Sequence, residues 1–314
     1  MGPIPLSFDI TAALLAQVSQ GETIAICAWL FVPDDLALLG ERPVTMALTA
    51  GGSYDKRYYH FEVSGREGYS AAEYLAGRGN IVLLTDHLGV GESTRVPDQK
   101  QATRQIVGLA NHAAVTQFYE RLAAGTLVPG LPAIADFARI GGGHSMGGMM
   151  TVIQQANQRS YEAIMVLGYT ADGVHTTTDG KKFRAWDAIP EGAEFPDYTF
   201  PERAPLHEGF HWDDVPADVI AVDDTLAVEV PAGIGIISIK TGVIREEAAQ
   251  IDVPVYFCNA ERDVSPDPHA EPALFPACTD FTLHILPNSG HCQNFASTRH
   301  RMWERMHRWA RTVG

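Results

Sequence analysis

Short apolar runs alternate with stretches of helical periodicity along most of the chain. Six of these runs have the length of buried strands: 43–52, 80–86, 138–145, 161–170, 253–263 and 280–291. Helical spacing of apolar residues predicts helices over 69–79, 106–125 and 149–158, near 269–277, and in the last segment, 297–311. Strands that alternate with helices are typical of a parallel sheet. The pattern therefore predicts an α/β fold, with a mostly parallel central sheet and helices on both faces.

The alternation stops between residues 171 and 248. This stretch is rich in Asp, Glu and Pro, and it carries scattered aromatic residues instead of a further strand–helix unit. We interpret it as an inserted subdomain. The expected organisation is a core domain made of residues 1–170 and 249–314, with an inserted cap, or lid, over residues 171–248.

Composition and charge narrow the classes of partner. The chain has 314 residues, a formal net charge of −15 and no block rich in Lys or Arg. Such a surface repels phosphate backbones and anionic lipids, and no apolar run reaches the roughly 18 residues of a membrane span. We therefore expect no nucleic-acid and no membrane partner. The four cysteines lack CxxC spacing and the N-terminus lacks a basic leader, which predicts a cytoplasmic protein with reduced thiols.

The densest motif is the glycine-rich stretch GGGHSMGG at 141–148, which follows a predicted strand and precedes a predicted helix. It is not a phosphate-binding P-loop, because no lysine follows the glycines, and it is not a dinucleotide loop, because Met146 stands where the last glycine would be. It does fit G-x-S-x-G centred on Ser145. On a sharp strand-to-helix turn this pattern presents the serine hydroxyl above the sheet, and the glycines avoid collisions with neighbouring backbone.

Four further stretches, together with this motif, resemble the α/β-hydrolase superfamily, of the serine esterase or lactonase type with an inserted lid. They are TAGGSYDKRYY (49–59) at the oxyanion loop, GNIVLLTDHLGVGES (79–93) at the next strand and turn, NAERD (259–263) at the acid, and NSGH (288–291) at the histidine. The resemblance spans nearly the whole chain outside 171–248. It implies an α/β-hydrolase fold and acyl-enzyme chemistry without a cofactor.

The resemblance also implies a role for single residues. Ser145 would be the nucleophile, His291 the general base and Asp263 the residue that orients the histidine, in the chain order Ser, acid, His. The backbone amides of Gly52 and Met146 would form the oxyanion hole. Two points stay open: Glu261 or Asp172 could be the acid instead, and Ser53 could replace Gly52 if the loop register differs by one.

The expected substrate is a small apolar carboxylic ester or lactone, and the chain is compatible with a homodimer. The motifs have no cluster of Arg or Lys residues nearby that would favour an anionic substrate. Aromatic residues of the insertion, among them Phe195, Tyr198 and Phe200, could line the pocket. The residues that we assign to substrate binding are Ser53, Tyr54, His144, Trp186, Phe210 and Trp212.

Three other functions are compatible with parts of the sequence. HEGFH at 207–211 matches the zinc motif H-E-x-x-H, although Pro205, Pro216 and Gly209 leave room for only a short, weak helix. We therefore assign no metal site. The second alternative is a ligand-binding protein on a hydrolase scaffold, since fold does not fix function. The third is a non-hydrolytic, lyase or C–C bond-cleaving enzyme with the same serine triad.

Overall fold

The computed structural model describes residues 2–200 and 202–314, so Met1 of the predicted core and Pro201 of the predicted cap lie outside the described residues. The strands are β1 Ile4–Asp9, β2 Ala25–Phe31, β3 Val44–Thr49, β4 Asn80–Thr85, β5 Ala138–His144, β6 Ala163–Leu167, β7 His175–Thr178, β8 Lys181–Arg184, β9 Tyr198–Thr199, β10 Val230–Pro231, β11 Val255–Arg262 and β12 Phe281–Gly290. The helices are α1 Ala16–Ser19, α2 Ala71–Ala76, α3 Arg104–Ala123, α4 Met146–Gln158, α5 His207–Phe210, α6 Ala217–Thr225, α7 Ala232–Gly235, α8 Arg245–Ala248 and α9 Arg299–Val313.

Eight strands form one central sheet in the order β1-β2-β4-β3-β5-β6-β11-β12. The pairs β1/β2 and β2/β4 are antiparallel, and every other neighbouring pair in this sheet is parallel. The predicted mostly parallel sheet is therefore confirmed. Its strands carry few polar residues because both faces of the sheet are covered.

Two apolar clusters cover the two faces of the sheet. Along β4, Ile81 and Leu83 point into one cluster with residues of α3 and α4, while Val82 and Leu84 point into the other with residues of α2 and α9. This alternation follows from the two-residue period of a strand. The predicted C-terminal helix is confirmed over 299–313, and it packs its apolar stripe, which includes the fully buried Trp303, against the sheet.

The prediction of a helix near 269–277 is wrong. The structure has a single 3-10 turn there, Glu271–Leu274. The stretch SPDPHAEPALFP places a proline at positions 266, 268, 272 and 276. Because proline lacks a backbone N–H group and disfavours helical backbone at the residue before it, the segment cannot extend beyond one turn.

Residues 171–248 leave the sheet after β6 and return to it before β11. They form two two-stranded sheets, β7/β8 and β9/β10, together with short helices from α5 to α8. That this segment is a separate cap domain stays a prediction. In residues 2–200 and 202–314, no helix has both the length and the apolar character needed to span a bilayer.

Candidate active site

Ser145 lies on the sharp turn between β5 and α4. Its backbone has φ 54° and ψ −121°, a conformation that L-residues rarely adopt and that the surrounding chain imposes. The flanking glycines are required by contact: a Cβ on Gly143 would lie 2.2 Å from the carbonyl of Gly147, and a Cβ on Gly147 would lie 2.4 Å from the Thr49 oxygen. The G-x-S-x-G pattern therefore reflects close backbone packing around a half-buried serine.

The structure brings Ser145, His291 and Asp263 into one hydrogen-bonded line. The Ser145 Oγ and His291 Nε2 atoms lie 3.0 Å apart, and His291 Nδ1 lies 2.6 Å from Asp263 Oδ1. Asp263 directly follows β11 and His291 directly follows β12, while Ser145 follows β5. Since the carboxyl ends of parallel strands share one edge of the sheet, three distant sequence positions meet there.

The Asp263 carboxylate is buried and accepts several hydrogen bonds besides the one from His291. Its Oδ1 accepts from the Val264 amide at 2.8 Å, and its Oδ2 accepts from the Ala260 amide at 2.7 Å and from Gln293 Nε2 at 3.0 Å. Burial alone would raise the pKa of Asp263, but the facing His291 and these bonds lower it below the usual value. The carboxylate is therefore held ionised and fixed in orientation.

Glu261 and Asp172 do not contact His291. Glu261 is exposed and accepts a hydrogen bond from the Asn288 amide at 2.9 Å. Asp172 forms an ion pair with Arg245 at 2.5 Å. Of the three carboxylates left open by the sequence, Asp263 is the one hydrogen-bonded to the histidine.

Gly52 and Met146 lie on two segments that run side by side at the serine. A Cβ on Gly51 would lie 2.9 Å from the Ser145 Cβ, and a Cβ on Gly52 would lie 4.0 Å from the Met146 Cβ. Met146 is the first residue of α4, and the first amides of a helix have no intrahelical acceptor. Both positions suit a backbone donor beside the serine, and their role as oxyanion donors stays a prediction.

His144 holds the backbone of the loop that carries His291. Its Nε2 hydrogen bonds to the His291 carbonyl at 2.8 Å, and its ring stacks on Tyr58 with centroids 4.5 Å apart. Burial, together with the nearby His291, lowers the pKa of His144 to about 3. The ring is therefore neutral near pH 7, and because the carbonyl oxygen can only accept, its one N–H hydrogen is on Nε2.

HEGFH has a backbone role in the structure. Its helix α5 is a single turn, and His207 Nε2 hydrogen bonds to Asp224 Oδ1 at 2.8 Å. The Gly209 carbonyl accepts from the His291 amide at 2.9 Å, and the next carbonyl in the chain accepts from the amide after His291 at 2.8 Å. Within residues 2–200 and 202–314, no three His, Cys, Asp or Glu residues are grouped so that they could hold a metal ion. The motif lies against the loop that carries His291.

A cavity of about 560 Å³ opens above Ser145. Of the residues assigned to substrate binding, Ser53, Tyr54, His144 and Phe210 line it. The apolar wall comes mostly from the segment between β6 and β11, including Val174, Phe195, Phe200, Leu206, Val230 and Ile239.

Trp186 and Trp212 are not among the described residues that line this cavity, and their assignment to substrate binding stays a prediction. Trp186 lies on the short turn Ala185–Ala188, of which Ala185 lines the cavity. The Trp212 ring packs on the core, with the Arg262 guanidinium 4.8 Å from its centroid. The side chains of the insertion that face the cavity could not be deduced from sequence, since the insertion has no regular period.

Sequence reasoning also missed Gln293. It lies two residues beyond His291 and is fully buried, and its amide nitrogen donates to both the Cys258 carbonyl, at 3.2 Å, and Asp263. The sequence signal that could have found it is position alone: a polar residue directly after the histidine loop.

Several solved structures are similar to this chain. An esterase from Thermogutta terrifontis, solved with malate bound, has 13% identity and a TM-score of 0.62, and the match covers 100% of this chain and 99% of that chain. A mutant of the N-acyl homoserine lactonase AidH, solved with N-hexanoyl homoserine, has 15% identity, coverage of 92% and 94%, and a TM-score of 0.55. A bromoperoxidase from Bacillus anthracis has 13% identity, coverage of 98% and 100%, and a TM-score of 0.63. No protein-family model matches the chain, and no curated protein matches it in sequence. At these identities the likeness concerns the fold alone.

Proposed function

We propose that this chain, which has the α/β-hydrolase fold, is a serine hydrolase that cleaves a carboxylic ester or lactone of an apolar small molecule. The observation that carries the proposal is the hydrogen-bonded line from Ser145 through His291 to Asp263 at the floor of an apolar cavity. A serine hydroxyl is a weak nucleophile alone, and an adjacent oriented base is what activates it.

In the proposed mechanism, the Ser145 oxygen attacks the carbonyl carbon of the ester while His291 Nε2 takes the hydroxyl proton. The C–O bond to the alcohol then breaks, His291 returns the proton to the leaving oxygen, and an acyl-enzyme remains. A water molecule, deprotonated by the same histidine, attacks the acyl carbon. The bond between that carbon and Ser145 Oγ then breaks, His291 returns the proton to Oγ, and the carboxylic acid leaves. Asp263 holds the imidazole in the required tautomer and stabilises the imidazolium that forms twice in the cycle.

The negative charge that develops on the carbonyl oxygen would be met by the amides of Gly52 and Met146. The start of α4 adds the positive end of the helix dipole at the same point. A donor placed in advance at the developing oxyanion typically contributes about 3–4 kcal/mol to the transition state. The cavity is closed on several sides by side chains, and exclusion of water strengthens these contacts.

The wall of the cavity supports a neutral, apolar substrate. Apart from histidines, the charged residues among the described lining are Arg262 and Asp263. Arg262 already donates to the His211 carbonyl at 2.7 Å and to Asp213 at 2.8 Å. An anionic acyl group would enter without a free cation to pair with, and an unpaired buried charge is costly. The esterase and the lactonase among the similar structures support an ester or lactone as the bond that is cleaved.

Neutral esters are expected to be better substrates than anionic esters of the same length. We expect kcat/KM for p-nitrophenyl butyrate to exceed that for p-nitrophenyl hemisuccinate by about 100-fold or more, because the second ester carries an unpaired carboxylate into the apolar cavity. The measurement is initial-rate kinetics on both esters, with an apolar lactone as a third substrate to separate ester from lactone preference. Equal kcat/KM values for the two esters would contradict the proposed substrate class.

A further inference from the structure

The loop at residues 50–56, which carries Gly52, is anchored at both ends by the core. At one end, a ring nitrogen of His87 hydrogen bonds to the Ala50 carbonyl at 3.3 Å. At the other end, the Lys56 amide donates to Asp86 Oδ1 at 2.8 Å, and the Lys56 ammonium pairs with the same carboxylate at 2.6 Å. These contacts fix where the loop starts and ends, and they leave its middle to other partners.

The middle of the loop is held by the segment between β6 and β11. Ser53 has φ 62°, a left-handed conformation that non-glycine residues adopt only where neighbours impose it. Its carbonyl accepts two hydrogen bonds, from the Val228 amide at 3.0 Å and from Arg203 Nη2 at 3.1 Å. Both donors belong to the segment predicted as the cap, so this segment sets the orientation of the peptide between Ser53 and Tyr54, one residue beyond Gly52.

Arg203 reaches the loop from a buried position beside Asp223 of α6. The Arg203 Nη1 atom lies 3.7 Å from Asp223 Oδ2, and the two side chains are 6% and 0% exposed. The guanidinium also lies over the Tyr54 ring, 4.0 Å from its centroid, and the Tyr54 hydroxyl donates to Asp223 Oδ2 at 3.0 Å. The pair therefore contacts two consecutive residues of the loop, one through its cation and one through its carboxylate.

Burial of this ion pair is unfavourable for the stability of the fold. Several of its polar atoms, Arg203 Nε and Nη1 and Asp223 Oδ1, are buried without a hydrogen-bond partner within the described part of the chain. A buried ion pair loses solvation, and replacement of both partners by apolar side chains of similar volume is often neutral or stabilising. What apolar side chains could not supply is the directed contact to the Ser53 carbonyl and the Tyr54 hydroxyl.

We infer that Arg203 and Asp223 are positioning residues of the oxyanion loop, and this inference rests on the proposed hydrolase function. The guanidinium fixes the Ser53 carbonyl, the carboxylate fixes Tyr54, and together they hold the turn in which the Tyr54 amide donates to the Gly51 carbonyl at 3.2 Å. The Gly52 amide lies inside that turn. A misplacement of about 1 Å at such a site can cost about 100-fold in rate.

The test replaces the pair by apolar residues and compares it with a matched arginine elsewhere. Arg104 is also partly buried and also bridges the core to the inserted segment, because its Nη1 donates to the Val243 carbonyl at 2.8 Å and to Glu247 at 2.7 Å. It does not contact the loop at 50–56. The variants are Arg203→Met with Asp223→Leu in one chain, and Arg104→Met as the control.

The double variant is expected to have a thermal unfolding midpoint within a few degrees of that of the wild type. Its kcat for p-nitrophenyl butyrate is nevertheless expected to be about 10- to 100-fold lower, with KM changed less than about 2-fold. Arg104→Met is expected to keep the wild-type kcat. If the double variant folds and keeps the wild-type kcat, the pair is merely structural and the inference is wrong. Should it fail to fold, Arg203→Lys takes its place: the variant keeps the charge beside Asp223 but loses the planar fork that reaches two partners, so kcat is expected to fall at constant KM.

Amide hydrogen exchange separates this inference from the proposed function, because it needs no turnover. Residues 50–56 are expected to exchange about 10-fold faster or more in the double variant, and at the wild-type rate in Arg104→Met. An inactive wild type together with this exchange pattern would overturn the hydrolase proposal and leave the positioning role standing. Unchanged exchange at 50–56 in the double variant would overturn the positioning role itself, whether or not the wild type is active.

Discussion

Ser145→Ala is expected to lower kcat for p-nitrophenyl butyrate by about 10⁶-fold while the protein folds normally. The expectation follows from the geometry: the Ser145 hydroxyl lies 3.0 Å from His291 Nε2, so its loss removes the nucleophile and leaves the base without a proton to take. The backbone strain at this position does not depend on the hydroxyl, so the fold should survive. Steady-state kinetics and thermal unfolding of the purified variant are the measurements.

Ser297→Ala is the control for this variant. Ser297 is an exposed serine whose hydroxyl donates to Asp214 at 2.7 Å, away from the cavity. It should keep the wild-type kcat. Turnover retained in Ser145→Ala above the level of about 10⁻³ of the wild type would mean that another group performs the attack.

Asp263→Asn is expected to lower kcat by about 10⁴-fold. The carboxylate accepts from His291 Nδ1 at 2.6 Å, and an amide in its place can present its NH₂ group to the ring and favour the wrong tautomer. In that orientation the amide oxygen takes the place of Oδ2 and can still accept from the Ala260 amide and from Gln293 Nε2, although the bond from the Val264 amide is lost. These two bonds should keep the side chain in place, so most of the loss comes from the chemistry and not from displacement. The measurement is kcat and its pH profile for wild type and variant.

Two matched carboxylates test whether this effect belongs to Asp263 alone. Glu261→Gln changes an exposed side chain two residues earlier, and Asp172→Asn changes the partner of Arg245. Both are expected to retain activity within about 3-fold, as for surface substitutions away from the site. A loss of about 10⁴-fold in either one, with Asp263→Asn active, would reassign the acid.

The parts of the site that lie next to strand ends were predictable from sequence. The turn at Ser145 is set by local glycines whose spacing has a steric cause, visible as the 2.2 Å approach that a Cβ on Gly143 would make. Asp263 and His291 follow apolar runs that their alternation with helical stretches favours as strands. The resemblance to α/β-hydrolases singled out these three residues, and their positions after strands explain why they meet, because parallel strands bring their carboxyl ends together.

The parts that depend on contacts across the inserted segment were not predictable. No strand was predicted before residue 43, although β1 and β2 pair as an antiparallel edge of the sheet, because short apolar runs do not separate strand from helix. In the insertion, short turns without periodicity decide which side chains face the cavity, so the sequence could not show that Ala185 lines it and Trp186 does not. Arg203 and Asp223 are joined only by folding, and neither belongs to a motif.

The most direct test of the central claim is the intact mass of the protein after treatment with a fluorophosphonate probe, on wild type and on Ser145→Ala. Such a probe reacts with an activated serine and loses fluoride as the Oγ–phosphorus bond forms, so it needs no knowledge of the substrate. We expect one adduct on the wild type and none on Ser145→Ala. A folded wild type that gains no adduct, or a variant that gains the same adduct, would contradict the claim that Ser145 is the activated nucleophile.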